Sequence, residues 1–387
     1  MTERIAEVLF KDKVAGRLEE TPDGGSRFTY GREWREPIAC AFPTEQREYL
    51  WRPGLQPFFE HLAPEGWLRE RQARGAQISQ QDDFGLLLRY GADCIGAVGL
   101  RPTGPPPAPA QITEAALTPG RTVSGVQKKL LAVKEGKAFR PAERSGPAPY
   151  IAKFNSETIP TLVRNEALSL RWTAAVLGAE EVNAFAVAEV EGQGPALVVT
   201  RFDRDDAGNK FRLEDFAQIL NKPRGRDYGG KYDGAYEDIA AAIQKHSSRP
   251  AIDVQKFFRR LAVYCLVGNC DAHLKNFSLL ETPSGLRLSP VYDVVNSTLY
   301  PDFQRELALS LGGRRIQIEA VTRAILADFG GSIGLPAKAI SQVFDELARK
   351  TRAAASHIQP PPGEPPDGFV HRYAETVSNA CLRILPQ

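Results

Sequence analysis

Residues 268–277 read Gly268-Asn269-Cys270-Asp271-Ala272-His273-Leu274-Lys275-Asn276-Phe277. Before them, IDVQKFFRRLAVYCLVGN (252–269) predicts an apolar helix. After them, FSLLE and LRLS flank Thr282-Pro283-Ser284-Gly285, a turn-forming run that predicts a β-hairpin over 277–289. The stretch is therefore a polar loop between a helix and a strand. Within it Asp271 and Asn276 stand five positions apart, and seventeen residues beyond Asn276 the segment Pro290-Val291-Tyr292-Asp293-Val294 delivers a second carboxylate just past the hairpin.

That Asp-to-Asn spacing is found in protein-kinase catalytic loops, where the aspartate orients an attacking hydroxyl and the asparagine ligates magnesium. Asp271 is the candidate orienting carboxylate. Asn276 and Asp293 are hard oxygen donors suited to Mg²⁺, which takes one or two protein carboxylates together with phosphate oxygens. Taken alone, Asp293 reads as a turn carboxylate, and only the joint pattern points to phosphoryl transfer. His273 reads as a structural or nucleotide-contacting side chain, because Asp271 already fills the role of base. Lys275 reads either as a neutraliser of phosphate charge or as a solvated lysine.

Upstream, Pro149-Tyr150-Ile151-Ala152-Lys153-Phe154 predicts a strand with a lysine among apolar neighbours. A buried lysine needs an anionic partner, which ATP phosphates and Glu166 of VRNEALSL would supply. Singly, both residues also read as ordinary surface charges. Val198-Val199-Thr200-Arg201-Phe202-Asp203-Arg204 ends a strand as an interlobe hinge would, with Phe202 placed to pack on an adenine ring. Thr122-Val123-Ser124-Gly125-Val126-Gln127-Lys128-Lys129 reads as a phosphate-facing loop or as a plain turn, and its single glycine fits neither a P-loop nor GxGxxG.

The whole chain has 387 residues, enough for two or three domains, and its 49 Lys and Arg nearly balance 47 Asp and Glu. That balance gives no large counterion-release contribution to nucleic-acid binding. Five scattered cysteines lack zinc-site or disulfide spacing and read as reduced thiols, and no signal peptide or spanning segment is visible, so a cytoplasmic protein is expected. The proline-rich RPTGPPPAPA (101–110) marks a boundary. We divide the chain into a β-rich region over 1–105, the rest of an N-terminal lobe over 106–213, and a helical C-terminal lobe over 214–387. Residues 161–177 predict a helix stopped by Gly178, and beyond the hairpin the chain is expected to be helical apart from QPPPGEPPDG. The expected fold is α+β and two-lobed, like a protein kinase.

The segments TVSGVQKKLL, YIAKFN, RNEALSLRWTAAVLG, VVTRFDR, RLEDFAQIL, GNCDAHLKNFSLL and SPVYDV follow one another between residues 121 and 294. As a set they resemble the HipA family of bacterial serine/threonine kinases, the toxins of HipBA toxin–antitoxin modules, and the first 100 residues look like that family's β-rich coupling region. The resemblance implies ATP and Mg²⁺ as cofactors, with Lys153 on the nucleotide phosphates and Thr200, Phe202, Gln218 and His273 in the nucleotide pocket. It implies Asp271 as the catalytic aspartate and Asn276 and Asp293 as metal ligands. The family's autophosphorylated loop serine falls on Thr122, with Ser124 a second acceptor; the modified loop would leave the cleft toward Lys128, Lys129 or Arg201 and lower activity. Thr200 stands where an acidic residue is expected. The implied partner is a small helix-turn-helix antitoxin through which DNA is reached indirectly, and the family's targets include aminoacyl-tRNA synthetases. No membrane partner is implied.

Two other readings stand beside this one. The D-x-H-x-x-N spacing of Asp271, His273 and Asn276 also resembles the catalytic loop of phosphoinositide kinases, which makes a lipid or small-molecule kinase the enzymatic alternative. An inactive, DNA-bound co-repressor is the other, and it would have no need of Asp271, Asn276 and Asp293.

Overall fold

Apolar side chains alternate with polar ones from residue 5, and that period builds the first sheet. A computed structural model describes residues 4–104, 127–142, 148–225, 227–359 and 368–386. Thr122 and Ser124 lie outside these residues, as does most of the proline-rich 101–110 segment. Strands β1 (Ile5–Phe10), β2 (Lys13–Glu20), β3 (Ser26–Tyr30), β4 (Glu48–Trp51) and β5 (Val98–Pro102) form an antiparallel sheet in the order β4-β3-β2-β1-β5. Lys11 and Asp12, both at positive φ, close the β1–β2 turn. Behind the sheet pack α1 (Pro57–Glu60), α2 (Gly66–Ala76) and α3 (Asp83–Tyr90). Phe28, Phe42 and Phe59 fill the space between, with ring centroids 5.0 to 5.6 Å apart.

The second sheet closes into a small barrel of β6 (Lys129–Glu135), β7 (Ala138–Pro141), β8 (Tyr150–Phe154), β9 (Phe185–Val190) and β10 (Gly194–Thr200), in the order β10-β8-β6-β7-β9. Ala132, Ala152, Phe154, Ala196 and Val198 fill its interior. Because side chains alternate along a strand, Ile151 and Lys153 point the other way, toward α4 (Leu162–Leu177). That helix ends at Gly178, whose φ of 115° suits glycine.

A short strand β11 (Leu213–Asp215) and the helical turn α5 (Phe216–Ile219) lead into α6 (Tyr236–His246) and α7 (Pro250–Val267). The expected hairpin forms as β12 (Ser278–Thr282) and β13 (Gly285–Leu288), and β12 also pairs with β11. Helices α8 (Arg323–Ser332), α9 (Ala337–Ala353) and α10 (Gly368–Ile384) complete an apolar core around Trp172, Phe257, Phe258, Leu261 and Tyr373. The architecture is the expected α+β one, but residues 294–321 are not helical. They run irregularly with 3₁₀ turns at Ser297–Leu299 and Ile318–Ala320, interrupted by Pro301 and by Gly312 and Gly313 at positive φ. Among the described residues no helix is long and apolar enough to cross a membrane, and all five cysteines are free thiols.

Polar contacts dock the N-terminal sheet and its helices onto the rest. Buried Glu214 accepts from the Cys40 backbone N–H at 2.9 Å and from Arg212 Nε at 2.7 Å. Asp203 Oδ2 accepts from the Gly96 N–H at 2.8 Å. Arg201, expected to be available to a modified loop, is instead buried and committed: Nε and Nη2 bond Asp203 at 3.1 and 2.8 Å, and Nη2 reaches the Cys94 carbonyl. A guanidinium sealed by a carboxylate cannot leave it without a large desolvation cost.

His61, at the end of α1, bonds the Lys222 carbonyl through Nε2 at 2.8 Å, while its Nδ1 faces Lys275 Nζ at 3.4 Å. Nε2 therefore carries the proton, and Nδ1 accepts from the ammonium. Burial, and then the charge of Lys275, hold this imidazole below its ordinary 6.5. The unfolded chain takes up a proton near pH 6.5, whereas the fold resists it to lower pH, so stability is intact above about 6.5 and falls as the pH drops below it. Thermal melts between about pH 5 and 8 should show a steeper acid loss for wild type than for His61→Gln; parallel profiles would contradict this.

Candidate active site

Helix α7 stops at Gly268, where φ is 84° and an added Cβ would lie 2.8 Å from Asn296 Oδ1. The loop that follows is fixed through its backbone. Cys270 N–H donates to Ser297 Oγ at 2.8 Å, Asn276 N–H to the His273 carbonyl at 2.9 Å, and the Ala272 and Lys275 carbonyls accept from the hydroxyls of Tyr236 and Tyr292 at 3.1 and 2.8 Å. Half-buried Asp271 accepts a 2.8 Å hydrogen bond at Oδ1 from the Tyr232 hydroxyl. His273 is buried edge-on to the Tyr232 ring, at 5.1 Å between centroids. Burial lowers its pKa to about 4, so the imidazole is neutral at neutral pH, and its Nδ1 has no partner among the described residues.

Beside the loop lies a buried ion cluster. Lys153 Nζ on β8 donates to Glu166 Oε1 of α4 at 2.5 Å and to Asp293 Oδ1 at 2.9 Å. Lys153 and Glu166 are 5% and 1% exposed, so neither charge is relieved by water. Lys129 is the cross-strand partner of Lys153, and its Nζ stands 3.9 Å from Asp293 Oδ2. Burial alone would raise the Asp293 carboxyl, but Lys153 and Lys129 hold it far below the ordinary carboxylate range. Burial likewise works against the charge on Lys153, which Asp293 and Glu166 outweigh, so the ammonium persists. Glu166 is pushed up by burial, with Lys153 opposing.

Asp293 has a φ of 56°, a left-handed conformation seldom adopted by a non-glycine residue and characteristic of sites where a side chain is aimed. Its carbonyl accepts from Asn276 Nδ2 at 3.3 Å, which turns Asn276 Oδ1 away, buried and without a partner among the described residues. A buried acceptor left open on a residue tied to the backbone of a carboxylate residue offers the oxygen chemistry that suits a hard cation. Among the described residues no three His, Cys, Asp or Glu side chains converge as a ready-made metal cage. Mg²⁺ held partly by phosphate oxygens needs none.

The other expected residues fall less simply. Thr200 spends its N–H on the Ala184 carbonyl, and its own carbonyl accepts from Asn183 Nδ2, both at 2.9 Å, which leaves one acceptor direction of that carbonyl for a further donor. Phe202 packs against Tyr292 at 5.6 Å between rings. Gln218 is buried and closes a capping box with Asp215 while its Nε2 donates to the Phe58 carbonyl, so its amide works structurally. Lys275 is neither solvated nor turned to phosphate: it pairs with Asp215 at 2.8 Å and Glu65 at 3.5 Å. Three further contributors are not singled out by motif or spacing: Lys129, which in sequence is only a basic neighbour of the 122–125 loop; Tyr232; and Asn165, whose one local signal is a polar side chain on the apolar face of α4. Asn165 exchanges hydrogen bonds with both backbone groups of Asn296, tying α4 to the segment that carries Asp293.

Lys153→Met would leave Glu166 buried without its cation, a loss on the order of 3 kcal/mol. Denaturant midpoints should fall for that variant and recover in part in Lys153→Met/Glu166→Leu, which removes the stranded carboxylate. No recovery in the double variant would contradict a mutually compensating pair.

The chain is similar to known proteins along most of its length. Residues 6–101 match the model of the HipA N-terminal domain, and residues 121–355 match that of the HipA-like C-terminal domain. The chain is 30% identical to "Putative kinase Y4mE" of Sinorhizobium fredii across 92% of both proteins. It is 28% identical to the serine/threonine-protein kinase toxin HipA of Shewanella oneidensis, over 92% of this chain and 90% of that one. A solved structure of the Shewanella oneidensis MR-1 HipA, from its complex with HipB and operator DNA, superimposes with a TM-score of 0.76 at 25% identity, covering 98% of this chain and 97% of that one. With both halves of its length matched and the fold shared end to end, the chain belongs to the HipA family of kinases.

Proposed function

We propose that the protein is an ATP- and Mg²⁺-dependent serine/threonine kinase of the toxin type, transferring the γ-phosphate to a protein hydroxyl. One observation carries the reading: on the loop that presents Asp271, Asn276 keeps a buried Oδ1 that is unpartnered among the described residues, while its Nδ2 holds the backbone carbonyl of Asp293, whose carboxylate meets the cross-strand lysines Lys153 and Lys129. Phosphoryl transfer is mostly positioning and charge neutralisation, and these residues supply both. Asn276 Oδ1 and Asp293 would hold Mg²⁺, which when bound neutralises phosphate oxygens. Lys153 and Lys129 would hold the phosphates, and like charges placed opposite each other across a sheet favour an anion between them. Phe202 would pack on the adenine, with neutral His273 near the nucleotide. Asp271 would accept a hydrogen bond from the acceptor hydroxyl and aim its oxygen at phosphorus.

The partner in this reading is a small helix-turn-helix antitoxin resembling the HipB of the Shewanella complex, through which DNA is met, and the substrate is a protein, an aminoacyl-tRNA synthetase being the class implied by the family. Thr122 or Ser124 is the proposed autophosphorylation site. A phosphoryl group there adds about −1.5 to −2 charges near the nucleotide phosphates and would lower activity. The partly exposed Lys129, at 43%, and Lys128 remain basic neighbours for it, whereas Arg201 does not.

Phosphosite mass spectrometry after brief expression in cells tests these claims together. Wild type should add phosphate to serine or threonine of a cellular protein and to Thr122 or Ser124, with both signals reduced on the order of 10²-fold or more in Asp271→Gln, Asn276→Ala and Asp293→Ala. Label from ATP appearing only in lipid, or undiminished transfer by the Asp271 variant, would overturn the reading.

A further inference from the structure

The turn Gly229–Tyr232 lies 39 residues before the catalytic loop, yet it ends with its hydroxyl on Asp271. It is held from several sides. Arg315 Nη2 donates to the Tyr232 carbonyl at 2.6 Å, while Nη1 of the same guanidinium bonds the Ala308 carbonyl. Gly230 passes so close to Pro223 that an added Cβ would meet the Pro223 carbonyl oxygen at 1.7 Å, so only glycine lets the turn sit there. Glu65 stands between Lys231 of the turn and Lys275 of the catalytic loop, 4.0 and 3.5 Å from their amines. The ring of Tyr232 closes the arrangement edge-on to His273.

A carboxylate has two oxygens and about four acceptor directions. Among the described residues Asp271 uses Oδ1 for Tyr232, and none of its side-chain hydrogen bonds uses Oδ2. Rotation of the carboxylate about its terminal torsion is otherwise soft, so a fixed donor on one oxygen decides where the other points. We propose that Tyr232 is a positioning residue: by donating to Oδ1 it locks the Asp271 carboxylate with Oδ2 toward the acceptor hydroxyl. The inference rests on the kinase reading of Asp271 and names a residue that the loop spacing cannot reveal.

The test is the initial rate of γ-labelled phosphate transfer from Mg-ATP to cell-extract protein, measured for wild type, Tyr232→Phe, Asp271→Asn and the double variant. Phenylalanine keeps the ring against His273 and removes only the donor. Tyr232→Phe should cut the maximal rate about tenfold, the scale of one hydrogen bond to a charged acceptor. The half-saturating ATP concentration and melting temperature should stay at wild-type values, and the loss should vanish in the Asp271→Asn background, because Tyr232 acts through that carboxylate. An unchanged rate would show Tyr232 to be passive, a raised rate would show that it obstructs the acceptor, and a full loss persisting beside Asp271→Asn would place its effect elsewhere; each overturns the proposal. A lowered melting temperature with raised ATP demand would assign Tyr232 to folding and overturn it as well. No transfer by wild type would instead overturn the kinase reading on which the inference stands.

Discussion

The Lys153 ammonium, buried between the carboxylates of Glu166 and Asp293, sets the geometry on which the rest of the site depends. It joins a strand of the barrel, the helix crossing that barrel and the segment returning from the β12–β13 hairpin. Lys153 and Glu166 are taken out of water while the Asp293 side chain stays 36% exposed, and the two buried charges are tolerable only because each satisfies another, so the arrangement admits few alternatives. Asp293 keeps its carboxylate there despite a left-handed backbone, and Asn165 fixes the neighbouring Asn296 from the same helix that carries Glu166. With Asp293 pinned, its carbonyl holds the Asn276 amide, and the orphaned Asn276 oxygen is aimed as a consequence.

The N-terminal sheet region is coupled to this site by charge as well as by contact. His61 and Glu65 both reach Lys275, one residue from Asn276, and Asp215 completes the cage around that amine. Burial would discharge Lys275, but Asp215 and Glu65 more than compensate, so the lysine works as an anchor for the loop. Further along, the Arg201–Asp203 pair fixes the end of β10 against Cys94 and Gly96 of the same N-terminal region. Movement of that region would therefore be felt at both margins of the cleft.

Local pattern made much of this legible. The helix over 161–177, the hairpin after the loop and the order of Asp271, Asn276 and Asp293 each follow from apolar periodicity, turn residues or spacing within a few dozen positions. What escaped the sequence depends on distant partners. Lys275 looks like any exposed lysine until Glu65, some 210 residues away in the chain, is folded against it. Gln218 is expected in a nucleotide pocket and Arg201 beside a modified loop, yet a capping box and a buried carboxylate claim their side chains. Strand β7 is only Ala-Phe-Arg-Pro, too short to show alternation and ending in a residue that marks sheet edges. Tyr232 sits in a glycine-rich turn with no periodicity, and only the fold brings its hydroxyl to Asp271.

The most direct test of this account is a crystal structure of the protein with Mn²⁺ and a non-hydrolysable ATP analogue, recorded at a wavelength that reveals the metal by its anomalous signal. A metal peak is expected within bonding distance of Asn276 Oδ1 and an Asp293 carboxylate oxygen, with nucleotide phosphates against Lys153. Nucleotide bound with its metal away from both residues would contradict it.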